Sequence, residues 1–510
     1  MSTTDGQPRR LSRRTVIRSL SAASLGVAIA PFLAACGSAP AAAPTAAPAK
    51  PAEAAKPAEA AKPAEAAKPA ADAKPAAPAA APAATTAAAA PAQAVAKSTA
   101  EIRLHVRTGN EADTLNDRLP ELEQKTGIKT KIESFPSAEY FTKLQTLTAG
   151  GQLGDVFWAI AHQGWGAYFM SNGVALPLDD LVKADNFDLG QYYPVAIQAA
   201  KVFENKLAGL PFKLQPFAIG LYYNANAFAE EKVTPPTLDT KYEELVEIAK
   251  KMTKVEGGKT TRFGYLPLQV GTAQGGYETL VVTTRAFGGD VTDKEGKKAT
   301  VNTPEAIAGV KWIYDLVFTH KAAPRVQELG GDPANPQDAM FVAGTGAMYQ
   351  GGSSAKSLPT RVKDKFEVKD TMLPIGPGKS RGSMAGVDFI MMNKASKFQK
   401  ESWELIKMLC DKETGIRLGE GRGGASGTCG ARPDAFNDPR LMANPLHQVW
   451  IKQAEEAGPL FIPANFRGGE LNTLIAQKLS GLFNGDEKFE QKFFDDLNTQ
   501  LQQVLDKPKP

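Results

Sequence analysis

The sequence predicts an α/β protein whose folded part forms two domains of open mixed sheet flanked by helices, behind a long N-terminal extension. Three observations carry that expectation. From residue 101 onward, short strand-type runs interleave with amphipathic helical runs. Residues 101–510 are more chain than one core usually organises, since single cores stop growing at roughly 250–300 residues. The composition also changes abruptly near residue 100, from Ala and Pro to a globular mixture.

The extension contains "LSRRTVIRSLSAASLGVAIAPFLAAC", from Leu11 to Cys36. Its apolar run, Leu20 to Ala35, falls short of the ~20 residues needed to span a bilayer and is interrupted by Pro31. A charged front, a short apolar middle and small residues behind it read as a removable export signal over residues 1–35. Arg13 and Arg14, with Ser12 before them and Val16 and Ile17 after, resemble the twin-arginine consensus, and the general secretory route stays open beside it. Leu33-Ala34-Ala35-Cys36 resembles the lipobox, in which cleavage precedes a cysteine that is then acylated. Cys36 is the expected lipidation site, which would hold the protein extracytoplasmically at the outer face of the cell membrane.

Residues 36–100 repeat Lys-Pro-Ala-Glu-Ala-Ala, with Lys50, Lys56, Lys62 and Lys68 in register and a degenerate copy ending at Lys74. A proline every six residues removes helical hydrogen bonds in every second turn. Few large apolar side chains are present to bury, so the segment is expected to be a disordered tether. Fully extended, it would reach on the order of 200 Å.

The full chain carries a formal charge of +4, but residues 1–35 hold five arginines and one aspartate, so the remainder is neutral. Nothing in that balance argues for nucleic acid. After Cys36 only Cys410 and Cys429 remain, without metal-type spacing. They are expected to be free thiols, Cys410 on a helix core face, with a disulfide as the alternative.

Within the folded part, "EIRLHV" reads as a strand and "DTLNDRLPELEQKTG" as a helix ending at Gly127. "KTKIES" is a second strand, and "SAEYFTKLQTLTAGG" a helix with a glycine stop. "GDVFWAI" is short and nearly all apolar, as expected of a strand buried on both faces. "ENKLAGLPFKLQPFAIGLYYNANAF" reads as a hairpin followed by one long strand. "NTPEAIAGVKWIYDLVFTHKA" is a helix with Thr303 as N-cap and Pro304 in its first turn. Its Ile307, Val310, Trp312, Ile313, Leu316 and Val317 recur at helical spacing, which places them in a core. "GAMYQGGSS" is a strand running into a glycine-rich loop, "GVDFIMMN" another strand, and the chain from "ESWELIKMLC" onward is almost entirely helical.

Motifs for catalysis are missing. "GEGRGG" at 419–424 matches G-x-G-x-x-G but follows a helix where a strand is required. "GPGKS" at 376–380 imitates the end of a P-loop, with Leu373 where the first glycine belongs. His105, His162, His320 and His447 are scattered, and no G-x-S-x-G, H-E-x-x-H or EF-hand loop occurs. No enzyme activity, cofactor or metal is expected, although a glycosidase-type pair among the many carboxylates stays open.

Five stretches occur in a telling order: "IRLHVRTGNEADTLNDRLPELEQKTGIKTKIE", "LQTLTAGGQLGDVFWAI", "LAGLPFKLQPFAIGLYYNANAF", "FVAGTGAMYQGG" and "MLPIGPGKSRGSMAGVDFIMMN". Together they resemble the extracellular solute-binding proteins of ABC importers, the sugar-type family that includes maltose-binding protein. The resemblance implies a two-lobed periplasmic-binding-protein-like fold of type II with C-terminal helices, and a ligand held between the lobes. It further implies a carbohydrate ligand, a sugar, oligosaccharide or polyol, handed by a monomeric protein to an ABC permease. A surface glycan-acting enzyme, a sensory or structural lipoprotein and a binding protein for a non-sugar solute are the alternatives.

The resemblance also suggests ligand-binding residues. Asn110 and Glu111 match a polar pair that contacts sugar in the family, and Trp158 a sugar-contacting ring, although a core ring fits Trp158 equally. His162 and Gln163 replace a charged pair in the next loop, and Phe217 lies beside an acidic contact on a hinge strand. In the second lobe the candidates are Gln274, Tyr277, Gln350, Gly352, Ser353 and Asp388, with Ser353 standing where the family has a stacking Trp. Phe466, Arg467 and Asn472 fall where a ring and an Arg act. The implied division is residues 101–218 plus 390–436 for the first lobe and 219–389 plus 437–510 for the second.

Overall fold

The computed structural model describes residues 97–508 apart from 138, 162, 202, 218, 269, 273–275, 333–334, 422–427 and 459–466, and omits the side chains of Phe217, Ser353 and Ser354. Arg13, Arg14, Cys36 and the Ala/Pro-rich segment therefore lie outside the described residues, as do His162, Gln274 and Phe466.

The strands are β1 Glu101–Arg107, β2 Lys129–Phe135, β3 Val156–Ile160, β4 Ala175–Leu176, β5 Leu210–Phe217, β6 Gly220–Asn224, β7 Lys254–Glu256, β8 Lys259–Leu266, β9 Gly346–Gly351, β10 Val368–Met372 and β11 Met384–Asn393. The principal helices are α1 Asn110–Thr126, α2 Tyr140–Ala149, α3 Trp165–Ser171, α4 Pro194–Ala200, α5 Tyr242–Met252, α6 Tyr277–Ala286, α7 Pro304–Tyr314, α8 Gln399–Leu409, α9 Lys412–Glu420, α10 His447–Glu455, α11 Gly468–Asn484 and α12 Gln491–Leu505.

They build two mixed sheets. The first runs β2-β1-β3-β11-β4, with β5 also paired to β11, and the second runs β10-β6-β9-β8-β7. β1 is parallel to β2 and β3, so their carboxyl ends share one edge of the first sheet. Every residue of β3 is buried, which accounts for its unbroken apolar run. Each sheet carries its own hydrophobic core, the first around Leu104, Phe157 and Ile390, the second around Leu221, Tyr265 and Phe341.

Local signals act as the sequence implies. Gly127 ends α1 at φ 79°, where a Cβ would come 2.5 Å from the Ser98 carbonyl oxygen, so glycine is required. The Thr303 hydroxyl accepts from the Ala306 backbone N–H at 3.3 Å and Pro304 opens α7. That helix closes in a π-helical turn, Asp315–Thr319, which keeps Leu316 and Val317 buried. Cys410 and Cys429 are both buried and unbridged; Cys410 lies just past the end of α8.

The long strand expected through "LQPFAIGLYYN" is two strands. β5 pairs antiparallel with β11 in the first sheet, and β6 pairs with β9 and β10 in the second. A continuous apolar run serves both because each half is buried, in a different core. The return crossing lies beside it: the Leu373 N–H donates to the Ile219 carbonyl at 2.8 Å, and Met384 pairs with Phe217. All of β11 sits in the first sheet, and Leu441, Trp450, Ile451 and Ala454 pack in the first core. The expected ranges gave residues 384–389 and 437–454 to the second lobe. β11 instead completes the strand order between β3 and β4, and α10 straddles the two sheets, lying against β5 of the first and against β6 and β10 of the second.

Candidate functional site

The carboxyl ends of β1 and β3 meet the two crossing strands at a buried ionic cluster. Arg107, the last residue of β1, reaches Glu111 in the first turn of α1 at 2.5 Å and Asp388 of β11 at 3.7 Å. Lys213 of β5 reaches the same carboxylates, Glu111 at 2.5 Å and Asp388 at 2.9 Å. Lys213 and Asp388 face each other across the β5–β11 ladder, and a bulge follows directly between Asp388 and Phe389. Gln215, also on β5, donates to the Asp388 carboxylate at 3.3 Å. Burial works against ionisation of Glu111, but Lys213 and Arg107 outweigh it and hold its carboxyl down at about 2. Two cations and two anions thus neutralise one another.

An aromatic wall stands beside this cluster. Trp158 of β3 and Tyr140 of α2 meet edge to face at 5.0 Å, and Trp165 at the start of α3 meets Trp158 the same way at 5.5 Å. Trp165 also stacks on Phe141 at 4.7 Å. The two tryptophans have different surroundings: the Arg107 guanidinium covers Trp158, whereas Trp165 lines an open cavity.

That cavity, of about 620 Å³, draws on both lobes. Phe141, Gln145, Gln163, Trp165 and Tyr168 come from the first, and Tyr277, Arg467, Glu470, Asn472 and Thr473 from the second. Three further cavities are each lined by one lobe. At the mouth, the first residue of α11 rests on the opposite lobe: a Cβ on Gly468 would lie 3.3 Å from the Gln163 carbonyl carbon. Among the described residues, Arg107 Nε, Asn110 Oδ1, Trp158 Nε1 and Asn472 Oδ1 are buried without hydrogen-bond partners. Such groups cost about 1–3 kcal/mol each when left unsatisfied, and Asn472 is on the cavity wall. In the second lobe the Tyr277 hydroxyl donates to Glu278 at 3.2 Å, and burial raises the Glu278 carboxyl to about 7.

The model of the family described as bacterial extracellular solute-binding protein matches residues 108–415. The chain belongs to that family. Among solved structures it is similar to an ABC substrate-binding protein of Listeria monocytogenes in complex with cycloalternan, at 18% identity over 80% of this chain and 99% of that one, with a TM-score of 0.66. Maltose-bound MalE3 of T. maritima gives 22% identity over 79% and 100%, at 0.64. UgpB of Mycobacterium tuberculosis in complex with glycerophosphocholine gives 17% over 80% and 98%, at 0.66. The fold is the two-lobed one of these binding proteins, each lobe an open mixed sheet flanked by helices.

Within this solute-binding fold the candidate residues fall into three groups. Gln163, Tyr277 and Arg467 line the shared cavity, and an added Cβ at Gly352 would meet open space. Glu111 and Asp388 are in the ionic cluster, beside Asn110, whose Nδ2 donates to the Leu418 carbonyl at 3.3 Å. Trp158 lies buried under Arg107, and Gln350 is buried in the second core, accepting from the Tyr265 hydroxyl at 2.9 Å. Phe217 and Ser353 are placed by backbone alone, on β5 and just after β9. Arg467 ties α11 to the chain end, bonding Glu470 and, at 2.5 Å, the Pro508 carbonyl.

Sequence reasoning missed Arg107, Lys213, Gln215, Trp165 and Glu278. A readable signal existed for one pair: Lys213 in "LPFKLQPF" and Asp388 in "GVDFIMM" are lone charges inside apolar strands, which is costly unless each answers the other.

Proposed function

We propose that this chain is the substrate-binding component of an ABC importer, taking a carbohydrate, whether sugar, oligosaccharide or polyol, into the inter-lobe cavity and passing it unchanged to a membrane permease. The observation that carries the reading is the cavity itself, walled by aromatic rings and polar side chains from both lobes. Sugars present C–H faces that pack on rings and hydroxyls that pair with amides and carboxylates. The self-neutralised cluster of Arg107, Glu111, Lys213 and Asp388 favours a neutral ligand over an organic anion. Solved relatives bind such neutral molecules as cycloalternan, tagatose and ribitol. In this reading Cys36 carries the lipid, Arg13 and Arg14 direct export, and residues 36–100 tether the monomeric receptor beside its permease.

Glycoside hydrolysis would need one carboxyl held protonated opposite an ionised partner. Glu111 and Glu278 are not among the residues that line the cavity, and Glu470, which is, has its carboxyl lowered against burial by Lys507 and Arg467, so binding is the better reading.

A thermal-shift screen of mono- and oligosaccharides, polyols, organic acids and phosphodiesters tests the proposal. A ligand at 100 times its Kd stabilises the folded state by about 2.7 kcal/mol. Stabilisation by a neutral polyhydroxylated compound, recovered chemically unchanged, is the expected result. Stabilisation by anions alone, or release of cleaved product, would overturn it.

A further inference from the structure

Among the described residues, Lys356 is a buried lysine with no acid to answer it. It lies in the 3-10 turn Ser353–Ser357 that follows β9 and is 3% exposed. Among the described residues no carboxylate lies within ion-pair distance of its ammonium, which instead sits 5.0 Å from the centre of the Trp450 ring. Ala355 and Leu358, on either side of Lys356, belong to the second core, whereas Trp450 and Cys429 belong to the first. The contact therefore joins the two cores, and it does so beside the crossing strands, because the turn and α10 both touch β5 and α10 also reaches β6 and β10 of the second sheet.

The titratable groups around it offer no compensating charge. Burial pushes the Cys429 thiol up to about 12 and the His447 imidazole down to about 4, so both are neutral at neutral pH. Lys213, on β5, is matched by Glu111 and Asp388. A desolvated ammonium facing an indole and a neutral thiol recovers only part of its lost hydration, since a desolvated cation–π contact gives about 2 kcal/mol or somewhat more against a burial penalty of several kcal/mol.

We propose that Lys356 is a proton-operated latch at the hinge: its charged form opposes the closed packing of the two lobes, and its neutral form permits it. Burial lowers the Lys356 pKa to about 8, and opening the hinge would return water to it and restore a value near the ordinary 10.5. The open form then binds the proton more tightly, so between about pH 8 and 10.5 raising the pH favours closure. The inference rests on the two-lobed binding reading, with β5 and β11 as the hinge strands.

The test is an inter-lobe distance measured by paired spin labels on exposed Lys183→Cys and Lys250→Cys, one on each lobe, in the full ligand-free chain with Cys36→Ser. Buried Cys410 and Cys429 will not label. The closed-to-open ratio is expected to rise about twentyfold from pH 7.5 to 9.5 in the native chain. It should be pH-independent and closed-weighted in Lys356→Met, and pH-independent and open-weighted in Lys356→Arg, which cannot lose its proton. A pH response retained in Lys356→Met or Lys356→Arg, or absent from the native chain, would overturn the latch. One fixed distance in all three proteins, unchanged by a ligand found in the screen, would overturn the hinged-receptor reading as well.

Discussion

The Arg107 guanidinium lies 4.0 Å above the centre of the Trp158 ring, so the face of that tryptophan nearest the ionic cluster is occupied by the protein's own cation. The same guanidinium binds Glu111, which couples the aromatic wall to the charges of the hinge strands.

The two tryptophans should therefore respond differently. Trp165→Ala is expected to weaken ligand binding by about tenfold or more, because it removes a ring from the cavity wall. Trp158→Phe should leave affinity within about threefold, while Trp158→Ala costs ~3–5 kcal/mol of stability through the void it leaves. Isothermal titration and urea unfolding separate the effects, and equal affinity losses for Trp165→Ala and Trp158→Phe would contradict this division.

Removing Lys213 leaves Glu111 and Asp388 to share Arg107 alone. Lys213→Met is expected to cost ~3–5 kcal/mol in urea unfolding. The double variant Lys213→Met with Asp388→Leu should recover part of that loss, since the buried carboxylate left with only a distant Arg107 and Gln215 is also gone. Strictly additive losses would mean the pair is not coupled.

Gly468 has room for hydrogen but not for a branched side chain. Gly468→Val would press on the Gln163–Gly164 backbone and prop the mouth open. Ligand affinity should fall by about tenfold with unfolding stability changed by less than ~1 kcal/mol; a matched loss of stability would place the defect in folding instead.

Two buried groups should give pH profiles of opposite slope. His105, fully buried and accepting from the Gly154 N–H at 2.7 Å, has its pKa lowered by burial to about 4. The unfolded chain then takes up the proton first, so stability falls as pH drops from about 6.5 to about 4, and His105→Gln should reduce that slope by about half, the rest coming from His447, also lowered to about 4. Glu278 is raised by burial to about 7, so its contribution is full at low pH and lost as pH rises from about 4.5 through 7. Glu278→Gln, which keeps an acceptor for Tyr277, should stabilise the protein by ~1–3 kcal/mol at pH 8 and little at pH 4. Chemical unfolding at several pH values checks both signs.

Features written in neighbouring residues were legible before any coordinates. The glycine stop at Gly127, the Thr303 cap with Pro304 behind it, and the doubly buried strand around Trp158 each depend on a few contiguous positions. The split between β5 and β6 was not, because an apolar run looks the same whether one core or two receive it. The ionic cluster was only partly legible: Glu111 and Asp388 were candidates, but Lys213 stands 102 residues from Glu111, and no local pattern links them.

By itself, then, the amino-acid order determined strand and helix types, the family resemblance and the change of material near residue 100, because periodicity, capping and composition act over short spans. Only the tertiary structure decided which tryptophan meets the cavity, which carboxylates stay charged and where Lys356 is trapped. Those outcomes depend on desolvation and on partners brought from distant strands, and burial is a property of the packed whole.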